Sequence, residues 1–377
     1  MYLDNASTTK VCKRAADAVV KAMTEEYGNP SSGHLMGRKA KNLADEARKI
    51  VAKALGAEPE EIFFTSGGTE ADNWAVVSAA NMMARKGRHI VSTAIEHEAV
   101  KKPLDMLAKK GFRVDFIRPF KDGSISPEQL EETIGAETVL VSVMAVCNET
   151  GNVYPVKEIS KIIKRKKSPA LLHTDAVQGF LKIPISAVNL GADMITISGH
   201  KVHGPKGIGA LYIKKGLKLP PLLYGGGQER GNRSGTEAIP LISGFGAAVE
   251  EGFYRLNENI EHMKMLRDFL ISEFNRCIPE IKILGNPEAP HIIAIALPGY
   301  KSEVIMNYLD NIGIYLSKGS ACKKGKRSYV LESMGLSPEL MDASLRISLS
   351  PESTRQEISD LVAALISAKN AILPDLK

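Results

Sequence analysis

Polar residues able to do chemistry recur in this chain just past apolar runs. Lys201 closes "SGHK" behind "DMITI" (193–197), so its amine is expected at the edge of a buried sheet. Desolvation there lowers a lysine pKa, and a neutral amine can form a Schiff base with a carbonyl compound. A surface lysine just after a strand explains the same residue. Asp175 ends the apolar run of "ALLHTDAVQ", where a carboxylate is costly unless it meets a cation or hydrogen-bond donors. A protonated pyridine nitrogen is one suitable cation; a helix N-cap aspartate is the plainer explanation. "TSGGTEADN" (65–73) supplies an anion end: Gly67 and Gly68 let the backbone come close, and Thr69 opens a helix whose free N–H groups and dipole favour phosphate. No Gly-Lys-Ser/Thr follows, so it is not a P-loop. His97 in "EHEAV" could stack on an aromatic ligand, shuttle protons, or be structural. Near the C-terminus, "SKGSACKKGKRSY" sets a lone cysteine, Cys322, among small residues and ahead of Lys323, Lys324, Lys326 and Arg327, a charge pattern that favours a thiolate.

Ser198 and Lys201 also fit the Ser-x-x-Lys spacing of penicillin-interacting enzymes. The Ser-Asp-Asn and Lys-Thr-Gly tripeptides that belong with it do not occur.

These residues need elements to bring them together. Apolar residues at helical spacing predict helices over 13–27 and 37–56, and a helix starting at Thr69 over 69–87. Strands are expected at 61–68, 89–97, 113–119, 138–149, 170–179, 193–201 and 208–216, with a helix after Ala99 and a Ser126-capped helix between some of them. Strands separated by helices point to a mainly parallel sheet covered on both faces. Thr65–Thr69, His97, Asn148, Asp175–Gln178 and Ser198–Lys201 then fall at the C-terminal strand ends, the edge where open parallel sheets bind ligands. Beyond "GGGQERGNRSGT" (225–236) the pattern changes. A long helical stretch covers about 237–275, followed by strands at 291–299, 314–319 and 345–350, helices at 301–313 and 327–335, and a C-terminal helix from Thr354, a smaller α/β unit.

The 377 residues are 44% hydrophobic and 24% charged, enough for a large core and for two domains. The net charge of +6 is partly concentrated in "KIIKRKK" (161–167) and "CKKGKR" (322–327), read as solvated faces. Few aromatics lie among these basic residues, which argues against direct nucleic-acid binding by stacking. Cys12, Cys147, Cys277 and Cys322 form no C-x-x-C pair, so neither a metal site nor a disulfide framework is expected. With no signal-like N-terminus and no apolar stretch near the roughly 20 residues of a membrane span, a reduced, cytoplasmic protein is expected.

The order of a glycine-rich anion turn, His97, Asn148, Asp175 with Gln178, and Ser198–Lys201 resembles the class V, fold-type I pyridoxal-phosphate enzymes. With "YLDNASTT", "YGNPSSGHLMG", "HGPKGIGALY", "GGGQERGNRSGT" and "GSAC", the resemblance is to cysteine desulfurases of the NifS/IscS type, from Tyr2 to about Ser350. It implies an α/β fold with a seven-stranded-type, mainly parallel sheet: a large pyridoxal 5'-phosphate-binding domain over 14–254, and a small domain from 1–13 and 255–377 carrying Cys322. It implies that Lys201 holds the cofactor, Asp175 pairs with its ring nitrogen, His97 stacks on the ring and Gln178 meets its phenolic oxygen. Gly68, Thr69, Ser198 and His200 would bind the phosphate, with Thr236 reaching in from the other subunit of a homodimer. Asn148 and Arg346 would hold the carboxylate of L-cysteine. Cys322 would take the sulfur as a persulfide, release alanine, and pass the sulfur to an acceptor protein, an iron–sulfur scaffold or a thiolation relay. A selenocysteine lyase, another class V aminotransferase without need of Cys322, or a cofactor-bearing partner protein are the alternatives. Two departures stand out: Cys147 where relatives often have Asn, and a basic, shorter segment after Cys322.

Overall fold

The computed structural model describes residues 1–318 and 327–374. Its larger sheet has seven strands: β1 (Ile62–Thr65), β2 (His89–Thr93), β3 (Arg113–Ile117), β4 (Thr138–Ser142), β5 (Leu171–Asp175), β6 (Met194–Ser198) and β7 (Gly209–Ile213). Their spatial order is β1-β7-β6-β5-β4-β2-β3. Neighbours from β3 through β6 are parallel, and β7 runs antiparallel to both β6 and β1. All strands but β3 are almost wholly buried, which their near-continuous apolar sequences require.

One face is covered by the Gly68–Met83 and Glu98–Lys109 helices, through Trp74, Ala75, Ala79, Val100 and Leu104. The other packs on helices Lys13–Thr24, Leu35–Leu55 and Ile239–Tyr254, and on Val156–Arg165. That last helix absorbs most of the basic run at 161–167: Val156, Ile159, Ile162 and Ile163 turn inward and the lysines stay outside. A smaller sheet has antiparallel order β10-β9-β8, formed by β8 (Lys282–Leu284), β9 (Ile292–Ala296) and β10 (Ser344–Ser348). It shares a core with helices Leu256–Cys277, Ser302–Asn311 and Arg355–Ala371, and with Leu3 from the chain's start.

Three expectations need correction. The apolar run 138–149 is a strand only to Ser142. Past it the backbone turns, with Gly151 at a φ of 78° and Gly151 N–H donating to Cys147 C=O. Val143–Cys147 stay buried because other segments cover them. Over the described part, 314–318, the strand expected at 314–319 is two isolated bridges, Tyr2 with Tyr315 and Ser317 with Arg346. The helical stretch at 237–275 is two helices, broken at Arg255, whose ψ is 17°.

Candidate active site

A cavity of about 660 Å³ opens at the C-terminal ends of β4, β5 and β6. Gly68, Thr69, His97, Asn148, Asp175, Gln178, Ser198, His200, Lys201 and Arg346 all line it. Residues up to 340 positions apart in sequence (6 to 346) thus meet in one pocket. Thr236 is exposed and outside it, and Cys322 lies outside the described residues.

The anion end is built by a β-strand that runs into a helix. Gly67, the N-cap, has a φ of 151°, and a Cβ on Gly68 would come within 2.9 Å of Val177 Cγ2. Only glycine gives that turn and approach. Helix Gly68–Met83 then points its free N–H groups at the cavity, with Ser198 and His200 lining the same space. Burial and the neighbouring Lys201 and Lys206 pull His200 down to about 4, so its imidazole is neutral at pH 7.

Lys201 follows β6 on a short helical turn, and its ammonium donates to the carbonyls of Ala6 and Ser7, both at 2.6 Å. The motif "YLDNASTT" therefore reaches the site from the chain's beginning. Thr9 N–H donates to His200 C=O at 2.9 Å, and His203 N–H donates to Thr9 Oγ1 at 2.8 Å, which ties this segment to the turn that carries the lysine. Gln178 donates to Ala6 C=O at 2.9 Å.

Asp175 sits on the floor at the end of β5, and its Oδ1 accepts from Val177 N–H at 2.9 Å. Burial pushes its carboxyl up, and the nearby Asp72 pushes it further. Donor atoms of Asp72, His97 and Asp175 all lie within 4.8 Å of one another. His97 caps helix Glu98–Lys109: its Nδ1 accepts from Ala99 N–H at 3.2 Å, so the neutral ring carries its proton on Nε2. With that nitrogen and one Asp175 oxygen committed, the trio suits a cationic ring nitrogen under a stacked imidazole better than it suits a metal ion.

Arg346, on β10 and 3% exposed, forms the opposite wall. It donates to Asn148 C=O at 2.8 Å, Asp4 Oδ1 at 2.9 Å, Ser7 Oγ at 2.6 Å and Ser317 Oγ at 2.9 Å. Among the described residues, its Nε and the Asn148 Oδ1 are buried without a partner. Beyond them, Ser328 donates to Glu149 at 2.5 Å and Tyr329 donates to Glu96 C=O at 2.5 Å. These bonds hold the chain just after the Cys322 segment against the larger unit.

The sequence reading did not name Asp72, Glu149, Ser7 or Ser317. Asp72 had a signal. In the 69–87 helix it falls on the same face as Ala75, Val76, Ala79 and Met83, the face that must be buried. Ser7 and Ser317 gave none, since an isolated serine in a loop has no periodicity to read.

An open parallel-sheet edge with a lysine, a buried acid and a phosphate-type turn defines a cofactor-dependent α/β enzyme site. The chain belongs to the aminotransferase class-V family, whose profile it matches over residues 1–361. It is 37% identical to a cysteine desulfurase IscS of Dictyoglomus turgidum, over 99% of this chain and 96% of that relative. A solved NifS-like protein superposes with a TM-score of 0.93 at 37% identity, covering 99% of this chain and all of the other. Another solved structure, SspA in complex with cysteine, matches with a TM-score of 0.80 at 33% identity, over 94% and 99% of the two chains.

Proposed function

We propose that the protein is a pyridoxal-phosphate-dependent cysteine desulfurase that converts L-cysteine to L-alanine and delivers the sulfur through Cys322. The observation that carries this reading is the single cavity that joins Lys201, the buried Asp175, the Gly67–Gly68 turn and Arg346. The pocket fits the cofactor chemically: a buried acid with one backbone donor on the floor, an amine at the side, and a helix N-terminus for a phosphate group.

Bound there, pyridoxal phosphate supplies an electron sink for bonds at the substrate's Cα. Lys201 is the residue that holds it, and when free it moves a proton at that carbon. Asp175, as a carboxylate, keeps a proton on the ring nitrogen, and His97 stacks on the ring. Gln178 orients the phenolic oxygen, while Gly68, Thr69, Ser198 and neutral His200 hold the phosphate. The Nε–H of Arg346 and the side-chain NH2 of Asn148 bind the substrate carboxylate, which gives the unpartnered Arg346 Nε a role.

The Cys322 thiolate attacks the substrate sulfur. The bond from sulfur to Cβ breaks with its electron pair left on carbon, Cβ takes up a proton in place of the sulfur, Cα regains its own, alanine leaves, and a persulfide remains. The reading includes a homodimer in which Thr236 reaches the partner's phosphate site, consistent with its exposure on this chain. It also includes a sulfur-accepting protein and a cytoplasmic setting; among the described residues no helix is long and apolar enough to cross a membrane.

Mass spectrometry of the purified protein after incubation with L-cysteine tests the reading. One added sulfur on Cys322 is expected, together with alanine in solution. Cys322→Ser should still bind cofactor and substrate but release no sulfide with reductant. Sulfide at the wild-type rate from that variant would favour a lyase that eliminates without a persulfide.

A further inference from the structure

We propose that Asp72 is a positioning residue for Asp175: the two carboxyls share one proton across the pocket floor, and Asp72 keeps it when the ring nitrogen arrives. The inference rests on the reading of the cavity as a pyridoxal-phosphate site.

Asp72 comes from the first turns of helix Gly68–Met83 and is 1% exposed. Its Oδ1 has no hydrogen-bond donor among the described residues, and the residue lines the same cavity as Asp175. A donor atom of each carboxyl lies within 4.8 Å of the other, and two buried carboxylates at that separation cannot both ionise cheaply.

The imidazole beside Asp72 does not neutralise it. His173 Nε2 stands 3.5 Å from Asp72 Oδ1, and burial drives this ring down to about 4, so it is uncharged. His173 is instead held by hydroxyls: Nδ1 is 2.8 Å from Ser142 Oγ and Nε2 is 3.1 Å from Thr196 Oγ1. The other titratable groups that face the pair are Glu96 and His97 ahead of helix Glu98–Lys109, and Lys201 after β6.

The proton balance is simple. Without the cofactor, the floor would hold one acid and one carboxylate at neutral pH. Asp175 would meet a protonated ring nitrogen as the carboxylate, and the floor's proton would then settle on Asp72. Were that nitrogen unprotonated, its proton would be supplied by solvent and the protons on Asp72 and Asp175 would be the same. Asp72 thus fixes which carboxyl is charged and touches no reacting atom.

Asp72→Asn keeps the shape and removes the acid, so Asp175 ionises at lower pH. Cofactor-stripped protein is titrated with pyridoxal phosphate between pH 5 and 9 and followed by absorbance. The acid limb of the affinity profile should move down by about one pH unit in Asp72→Asn, and Asp72→Glu should keep the wild-type limb. The thermal midpoint of the stripped protein gives a second reading. Both acids are raised by burial, so the folded state holds protons that the unfolded state has lost, and stability falls as pH rises from about 4 to about 7. Asp72→Asn should flatten that fall. Parallel profiles with a uniform loss of affinity would mark a purely structural residue and overturn the inference. Failure of the wild type to take up pyridoxal phosphate would instead overturn the reading of the site. If Asp72→Asn does not fold, Asp72→Ser is put through the same two measurements.

Discussion

The floor and the far wall of the cavity each bury a charge, and they treat it differently. On the wall, the Arg346 guanidinium has four hydrogen-bond acceptors, among them the Asp4 carboxylate, and only Nε is left over. On the floor, Asp175 has one backbone donor and a second acid beside it. A buried charge is tolerated when it is paired and hydrogen-bonded. The wall meets that condition by itself; the floor meets it only when a cation is supplied. The wall is therefore a pre-built receptor with one vacant donor, suited to a ligand that comes and goes. The floor is incomplete without a resident group.

The largest effect should come from the amine between the two. Lys201→Ala should lower turnover by about 1,000-fold or more, and borohydride treatment should no longer fix a cofactor on the chain. An adduct on a different lysine would move the site. On the wall, Arg346→Ala leaves Asp4 unpaired at 21% side-chain exposure. The expected cost is about 3 kcal/mol of stability, read as a lower denaturation midpoint, with a raised KM for cysteine. If the midpoint holds and only KM changes, the wall is less self-contained than its hydrogen bonds imply. Ser317→Ala removes one of the four acceptors and should cost only about 1 kcal/mol, with cofactor affinity unchanged. A loss of cofactor affinity in this last variant would mean that wall and floor are coupled.

Much of the floor was legible in the sequence, and less of the wall. Asp175 and Lys201 end apolar runs, and a polar residue in that position shows itself because burial there is costly. Gly67 and Gly68 break a strand just before a helix, and that turn has few other uses. The wall instead joins Asp4 and Ser7 to Ser317 and Arg346, from the two ends of the chain. The resemblance implied a role for Arg346, but nothing local marked its serine and aspartate partners. The run at 314–319 misled for the same reason. Its alternation is that of a strand, yet its backbone partners are single residues, Met1, Leu3 and Arg346.

The sequence by itself determined the larger sheet's strands, the helices that cover them, the glycine turn and the identity of the reactive side chains. Those follow from hydrophobic period and local backbone preference, which act over a few residues. Only the tertiary structure decided that the chain's first ten residues hold the lysine turn and that Asp72 stands behind Asp175. It also decided that the 138–149 run stays buried after its strand has ended. Each of these depends on contacts between segments far apart in the chain, whose geometry is set by how the two sheets and their helices pack.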